Sequence, residues 1–222
     1  MTDSIECIVF DWDGTLMDSE AQIMHCLHAA IADLGLEPMD DATVRDIIGL
    51  GLKEAIDTLV PGRDDGFHRA FVEAYREHWF AHDGSDLFAG ARDVLQLLRS
   101  NDIRLGIATG KARRGLVRVL GETGLEAYFD ATRCSDETIS KPHPQMLLEV
   151  MQELSVAPQQ TVMVGDTEYD MEMATNAGAA KIAVRSGVHA EDRLQRHKPL
   201  VCLDSVTDMP AWMSAQGYIP QG

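Results

Sequence analysis

Five short apolar runs punctuate the chain, each closed by turn residues: Ile5–Phe10 (IECIVF), Ile103–Gly110 (IRLGIATG), Thr161–Asp166 (TVMVGD), Ala180–Arg185 (AKIAVR) and Leu200–Leu203 (LVCL). Runs of this length read as buried strands. Between the later runs, apolar positions recur at helical spacing in Ala91–Asn101, Arg113–Gly124, Pro144–Leu154 and Glu168–Gly178. Strands alternating with helices of about 10 to 15 residues imply βαβ units and a parallel sheet. Gly124 and Gly178 follow the last periodic residues of their segments and read as helix C-caps.

Residues 17–85 break this rhythm. They read as three or four helices with no strand, separated by GLEP, GLG and PGRDDG, and the first shows helical apolar spacing from Ile23 through Leu34. The pattern of strands and helices resumes near Ser85–Ala91 (SDLFAGA). The expected fold is therefore α/β, a Rossmann-like parallel sheet core built from residues 1–16 and 86–222, with an all-helical cap inserted at 17–85. There is no internal repeat and no low-complexity segment, and the closing SAQGYIPQG reads as a tail.

A length of 222 residues fits one large core plus an insertion or a small second domain. Apolar residues at 45% and charged residues at 25% are ordinary for a globular protein. No apolar run approaches the roughly 20 residues needed to span a bilayer, and the opening MTDSIEC lacks the basic start and apolar stretch of a signal peptide. Cys7, Cys26, Cys134 and Cys202 are scattered, with no CxxC pair, and read as reduced thiols; Cys7 and Cys202 sit in apolar segments and read as buried. The expected setting is cytoplasmic. A net charge of −17 without a basic stripe argues against nucleic-acid or anionic-membrane partners. An anionic small substrate stays open, because charges more than about 8 Å away are largely screened at physiological salt.

Chemistry concentrates at the predicted strand ends, where a parallel sheet binds its ligands. The first run ends in FDWDGT, which delivers Asp11 and Asp13. A calcium loop of the EF-hand kind is out, since its sixth and twelfth positions here are Leu16 and Gln22. The second run ends in Thr109 and Gly110, a hydroxyl and amides suited to a phosphate at a helix start, or a plain helix cap. SKPHP places Lys141 between its serine and a proline, in an extended backbone. VGDTEYDM places Asp166 and Asp170 four residues apart, on one face of a first helical turn, with Asp166 also a candidate cap. Taken singly, each has a simpler structural reading; all four fall on one sheet edge.

In that order, FDWDGTLMDS, ATGK, SKPHP and VGDTEYDM resemble the four motifs of the haloacid dehalogenase superfamily, over nearly the whole chain. The pattern is most similar to the phosphoglycolate-phosphatase-like branch with a helical cap after the first motif. The resemblance implies hydrolysis of a small phosphorylated substrate, phosphoglycolate first among candidates. Asp11 would be the nucleophile that forms an aspartyl-phosphate, and Asp13 the general acid and base. The dehalogenases lack an acid at that second position, so that reading falls. Thr109 and Gly110 would hold phosphoryl oxygens, and Lys141 would neutralise charge. Mg²⁺ would bind Asp11, the Asp13 carbonyl and Asp166, with Asp170 orienting Lys141 or a bound water. Asp11, Asp13, Asp166 and Asp170 against Lys141 leave a formal −3, which the cation would offset.

In the cap, Arg45 and Lys53 flank Gly49 and Gly51, where the family places a specificity loop; a carboxylate contact and ordinary surface charge are both open. A sugar phosphomutase, a pyrophosphatase and a phospho-acceptor module share the core chemistry and stand as alternatives. His78 with His82 and His25 with His28 have zinc-like spacing but no matched further ligand, and Arg113 and Arg114 read as helix surface.

Overall fold

A computed structural model describes residues 4–81 and 84–220. In chain order the elements are β1 (Cys7–Phe10), β2 (Met17–Asp18), α1 (Glu20–Asp33), α2 (Asp41–Asp46), α3 (Leu52–Leu59), α4 (Asp65–Ala81), β3 (Asp86–Leu87), α5 (Ala91–Ser100), β4 (Arg104–Thr109), α6 (Arg113–Thr123), β5 (Ala131–Cys134), α7 (Gln145–Leu154), β6 (Thr161–Gly165), α8 (Glu168–Ala177), β7 (Ala180–Val184), α9 (Glu191–Gln195), β8 (Cys202–Leu203) and α10 (Met209–Ala215). The main sheet is parallel, in the order β5-β4-β1-β6-β7-β8. The chain leaves β1 in one direction along the sheet and returns to its other side at β6. That reversal makes the end of β1 the topological switch point.

Strand alternation sorts the core into two layers. Ile8, Phe10, Leu105, Ile107, Val162 and Val164 face α5, α6 and α10. Cys7, Val9, Ala108 and Met163 face α7 and α8. The sheet is thus covered on both faces, which is why its strands read as continuous apolar runs. Gly124 and Gly178 end α6 and α8 with φ of +62° and +73°, the left-handed caps that glycine adopts without steric cost.

Between β2 and β3, four helices surround an apolar cluster of their own, with Ile23, Leu27 and Ile31 of α1 packed against Ile56 of α3 and Phe71 of α4. The expectation of no strand in this region needs one correction. Met17–Asp18 pairs antiparallel with Asp86–Leu87, so a two-residue ribbon ties the entry of the insert to its exit. The closing tail is corrected as well: Ile219 is buried in the main core, and Tyr218 packs on Trp212 with ring centroids 5.8 Å apart. Cys7, Cys26 and Cys134 are buried free thiols and Cys202 is half-buried. No helix among the described residues is long and apolar enough to cross a membrane.

Because Phe71 is fully buried at the centre of the insert, Phe71→Ala is expected to cost about 3–5 kcal/mol in chemical denaturation. Hydrogen exchange should quicken in α1 and α4 far more than in the sheet. Equal acceleration in both would show that the two clusters unfold as one.

Candidate active site at the carboxyl edge of the sheet

Asp11 and Asp13 lie one residue either side of Trp12, and the pleat sends the three side chains to opposite sides. Trp12 is fully buried in the main core, edge-on to Phe129. The two carboxylates are left on the other side, at the mouth of the sheet. The Asp11 amide donates to Val164 O at 2.9 Å, which extends the ladder to that residue. The chain then turns sharply, with Thr15, Leu16 and Met17 amides all donating to Trp12 O and Gly14 at φ +76°.

Lys141 is buried between two acids, its Nζ 2.8 Å from Asp11 Oδ1 and 2.6 Å from Asp170 Oδ1. These are ion pairs without aligned hydrogen bonds, and the three atoms have no other hydrogen-bond partner. Asp166 accepts from Thr15 Oγ1 (2.8 Å) and from the Val188 amide (3.0 Å). Asp170 Oδ2 accepts from the amide (3.1 Å) and hydroxyl (2.6 Å) of Thr167. Thr167, not Asp166, is therefore the N-cap of α8, with Asp170 closing a capping box. Gly14, Gly165 and Gly187 ring the two acids. A Cβ on Gly14 or Gly187 would run into the Asp166 carboxylate, and one on Gly165 into Asp170.

Burial drives the electrostatics. It raises the Asp11 carboxyl well above the usual range, opposed by Lys141 and reinforced by Asp170 and Asp166. Asp166 is pushed up to about 7, by burial first and Asp170 second, against the hydrogen bonds from Thr15 and Val188. Burial alone would lower the Lys141 ammonium, but Asp11 and Asp170 together outweigh it and raise it. Asp11, Asp166 and Asp170 each offer an oxygen within 4.8 Å of the others, the one such group of potential metal ligands among the described residues. Three carboxylates facing one ammonium, with oxygens left unpaired, fit a hard divalent cation.

Asp13 is held differently. Lys111 Nζ lies 2.9 Å from both of its oxygens, and Ser19 Oγ donates to Oδ1 at 2.6 Å. The Lys111 ammonium also sits over the Trp79 ring of α4, 4.4 Å from its centroid. Lys111 and Ser19 lie inside the ATGK and FDWDGTLMDS motifs, yet sequence reading assigned them no role. Their partner becomes visible only in the fold. Lys111 also lowers the expected −3 by pairing Asp13.

Thr109 is buried at the end of β4, where its hydroxyl accepts from the Lys111 amide at 3.2 Å. The cap of α6 is Ala112, so Thr109 is not a helix cap. Gly110 touches the insert so closely that a Cβ would strike the carbonyls of Gly49 and Leu50. The same loop is anchored by the Gly51 amide donating to Ser140 Oγ (2.8 Å), and by Asp46, whose carbonyl accepts from Tyr169 Oη (2.8 Å) and whose carboxylate pairs with Arg193. The insert is thereby docked over the acids. It borders with them a cavity of about 680 Å³ that is open at one side, lined by Asp11, Asp13, Gly110, Lys111 and a largely apolar insert wall.

Lys53 lines this cavity, its Nζ 3.1 Å from Asp57. Arg45 does not; its Nε is 2.6 Å from Glu20. Arg113 is held by Glu137, whereas Arg114 lines the cavity mouth over Phe80. Of the histidines, His28 meets Asp41 and His78 meets Asp33, while His82 lies outside the described residues. No zinc-type His cluster occurs among the described residues.

Fold and site together define an α/β enzyme with an acid cluster at the sheet's switch point, covered by a helical insert. The family model of the haloacid dehalogenase-like hydrolases matches residues 8–184. The chain is 33% identical over 208 residues to "Probable phosphatase IndB" of Dickeya dadantii, covering 91% of this chain and 90% of that one. It is also 33% identical to a phosphoglycolate phosphatase of Chromobacterium violaceum, over 82% of this chain and 86% of that protein. The crystal structure of a haloacid dehalogenase-like hydrolase from Bacteroides fragilis superposes with a TM-score of 0.86 at 24% identity, covering 93% of this chain and all of the other. The chain belongs to the haloacid dehalogenase-like hydrolases, the family its motifs resemble.

The raised Asp166 group gives a signed expectation. Its contribution to stability is full below its unfolded value near 3.8 and is lost as pH rises through about 7. A cation that replaces protons on the cluster therefore stabilises more at higher pH. The rise in Tm on adding a divalent cation should be larger at about pH 8 than at about pH 5, and Gly187→Ala, which displaces Asp166, should abolish it. A cation effect independent of pH would count against ligation by these acids.

Proposed function

We propose that this chain is a Mg²⁺-dependent phosphatase that hydrolyses a phosphate monoester of a small alcohol through an aspartyl-phosphate on Asp11. The observation that carries this reading is the buried excess of carboxylate around Lys141, at the one sheet position from which Asp11 and Asp13 both reach the cavity. A phosphate dianion entering such a site needs cationic charge beyond that ammonium. Asp11, the Asp13 carbonyl and Asp166 would hold Mg²⁺, which supplies charge neutralisation to the transferring phosphoryl group.

An Asp11 oxygen attacks phosphorus, the bond to the alcohol oxygen breaks, and Asp13 delivers a proton to the departing alkoxide. Asp13 then takes a proton from a water molecule, whose oxygen attacks the same phosphorus. The acyl-phosphate bond breaks, and Asp11 and inorganic phosphate are released. Gly110 lines the cavity and its amide would hold phosphoryl oxygens, the buried Thr109 beside it would add its hydroxyl, and Lys141 offsets charge on Asp11. Ser19 and Lys111 orient Asp13, and the docked insert covers the acids during the two steps. Lys53, at the insert wall, would have to give up Asp57 to meet the alcohol side of the ester, as Arg45 would have to give up Glu20.

Phosphate release from a panel of monoesters tests this reading. Wild-type turnover should vanish in excess chelator and return with Mg²⁺. Asp11→Asn should fall to background, and Asp13→Asn should lose about 10²–10⁴-fold in kcat. Turnover that survives in Asp11→Asn, or in chelator, would overturn it.

A further inference from the structure

We infer that the preferred ester carries a bulky ring, aromatic or largely apolar, on its alcohol side, and is not a two-carbon acid phosphate. The inference rests on the phosphatase reading for its chemistry and goes beyond it in naming the class of leaving group.

Size comes first. A cavity of about 680 Å³ lies within the range of roughly 300–1,000 Å³ that encloses a whole drug-sized ligand. At ~30 Å³ for each water in the liquid, a molecule as small as phosphoglycolate would leave most of this space to solvent. Lining comes second. Three helices of the insert present Ile23, Leu27, Leu52, Val72, Tyr75 and Trp79 to the cavity. Tyr75 and Trp79 are stacked, with centroids 6.0 Å apart and planes at 22°, which makes this part of the wall aromatic. At the mouth, Phe80 and Ile139 are 40% and 55% exposed. Apolar surface left open around a polar centre is stabilised by a ligand that covers it.

Charge comes third. A small acid needs a cation for its carboxylate, and two of the four cations lining the cavity, Lys53 and Lys111, are held by acids. Arg45 pairs with Glu20 outside it, Lys111 pairs with Asp13, and Lys53 pairs with Asp57 with its side chain 70% exposed. Glu54 and Asp136 add negative charge to the lining. Arg76, on the same α4 face as Val72 and Trp79, lines the cavity and makes no ion pair among the described residues. Arg114, over Phe80, likewise lines the cavity without an ion pair among the described residues. Two donors on an apolar wall orient a ring that bears an acceptor, as the few polar groups of apolar pockets do.

The test uses binding, which does not require turnover. Wild-type protein with Mg²⁺ is titrated calorimetrically with two non-hydrolysable phosphonates, phosphonoacetate and 2-phenylethylphosphonate. The aryl compound should bind at least about tenfold more tightly, given what burying one ring contributes. Val72→Trp, which fills the cavity, should remove most of that ratio. Aryl binding no tighter than phosphonoacetate overturns the inference, as does an undiminished ratio in folded Val72→Trp. The wild-type ratio alone decides if that variant does not fold. Phosphate release from 2-phosphoglycolate and 2-phenylethyl phosphate is measured alongside. Release from neither would sink the phosphatase reading, and the binding ratio would still decide the leaving group.

Discussion

Three buried carboxylates around one ammonium are the constraint on which the site depends. Taking a charge out of water costs several kcal/mol even after relaxation, and Lys141 can answer only part of it for Asp11, Asp166 and Asp170. The remainder is distributed by design of the loops. Thr15 and the Val188 amide satisfy Asp166, and the capping box of α8 satisfies half of Asp170. Glycines at 14, 165 and 187 let backbone approach where a side chain would collide. What is left over is cationic demand at Asp11, the position where the sheet reverses direction.

The helical insert answers a different requirement. Its loop at Gly49–Gly51 presses backbone onto Gly110 and hydrogen-bonds Ser140, one residue before Lys141. Asp46 adds a second anchor through Tyr169 and Arg193. His189 joins it: its Nδ1 accepts from the Glu168 amide at 3.0 Å, so its proton sits on Nε2, toward Asp46 O. Burial, with Arg193 beside it, lowers the pKa of this ring and favours that neutral form. The insert therefore meets the core at two places, at Ser140 and at Tyr169 with Arg193, and the apolar wall lies between them.

Much of this was legible in the chain, and the parts that were not share a cause. Central strands read clearly because both faces are buried, so IVF and VMV are unbroken apolar runs. The edge strand β5 reads poorly: only Ala131 and Cys134 are buried, and Thr132 and Arg133 between them are half-exposed. The two-residue ribbon at Met17–Asp18 is too short to show any period. Asp11, Asp166 and Lys141 were legible because each follows an apolar run or sits between turn residues. Lys111 was not, because its value lies in Asp13, 98 residues earlier. Arg45 shows the reverse: a cation beside a glycine loop suggests a ligand contact, while Glu20, 25 residues away, takes the guanidinium. Local pattern predicts elements; partners distant in sequence decide which charges are available.

That distinction explains why two aspartates one residue apart can do unlike work. Asp11 is buried at the floor of the cavity, and its carboxyl is shifted upward by burial, with one oxygen on Lys141. Asp13 faces the cavity, gripped by Ser19 and Lys111 and capped by the Trp79 ring. In the proposed reaction the first would form the bond to phosphorus, and the second, oriented by a hydroxyl and an ammonium, would move the proton. Environment, not residue type, separates the roles of paired acids. Here the separation is built partly from the insert, since Trp79 covers Lys111 and thereby shields the Asp13 ion pair from solvent. The helices that bound the alcohol side of the cavity also set the surroundings of the acid that would protonate it, which couples leaving-group fit to proton delivery.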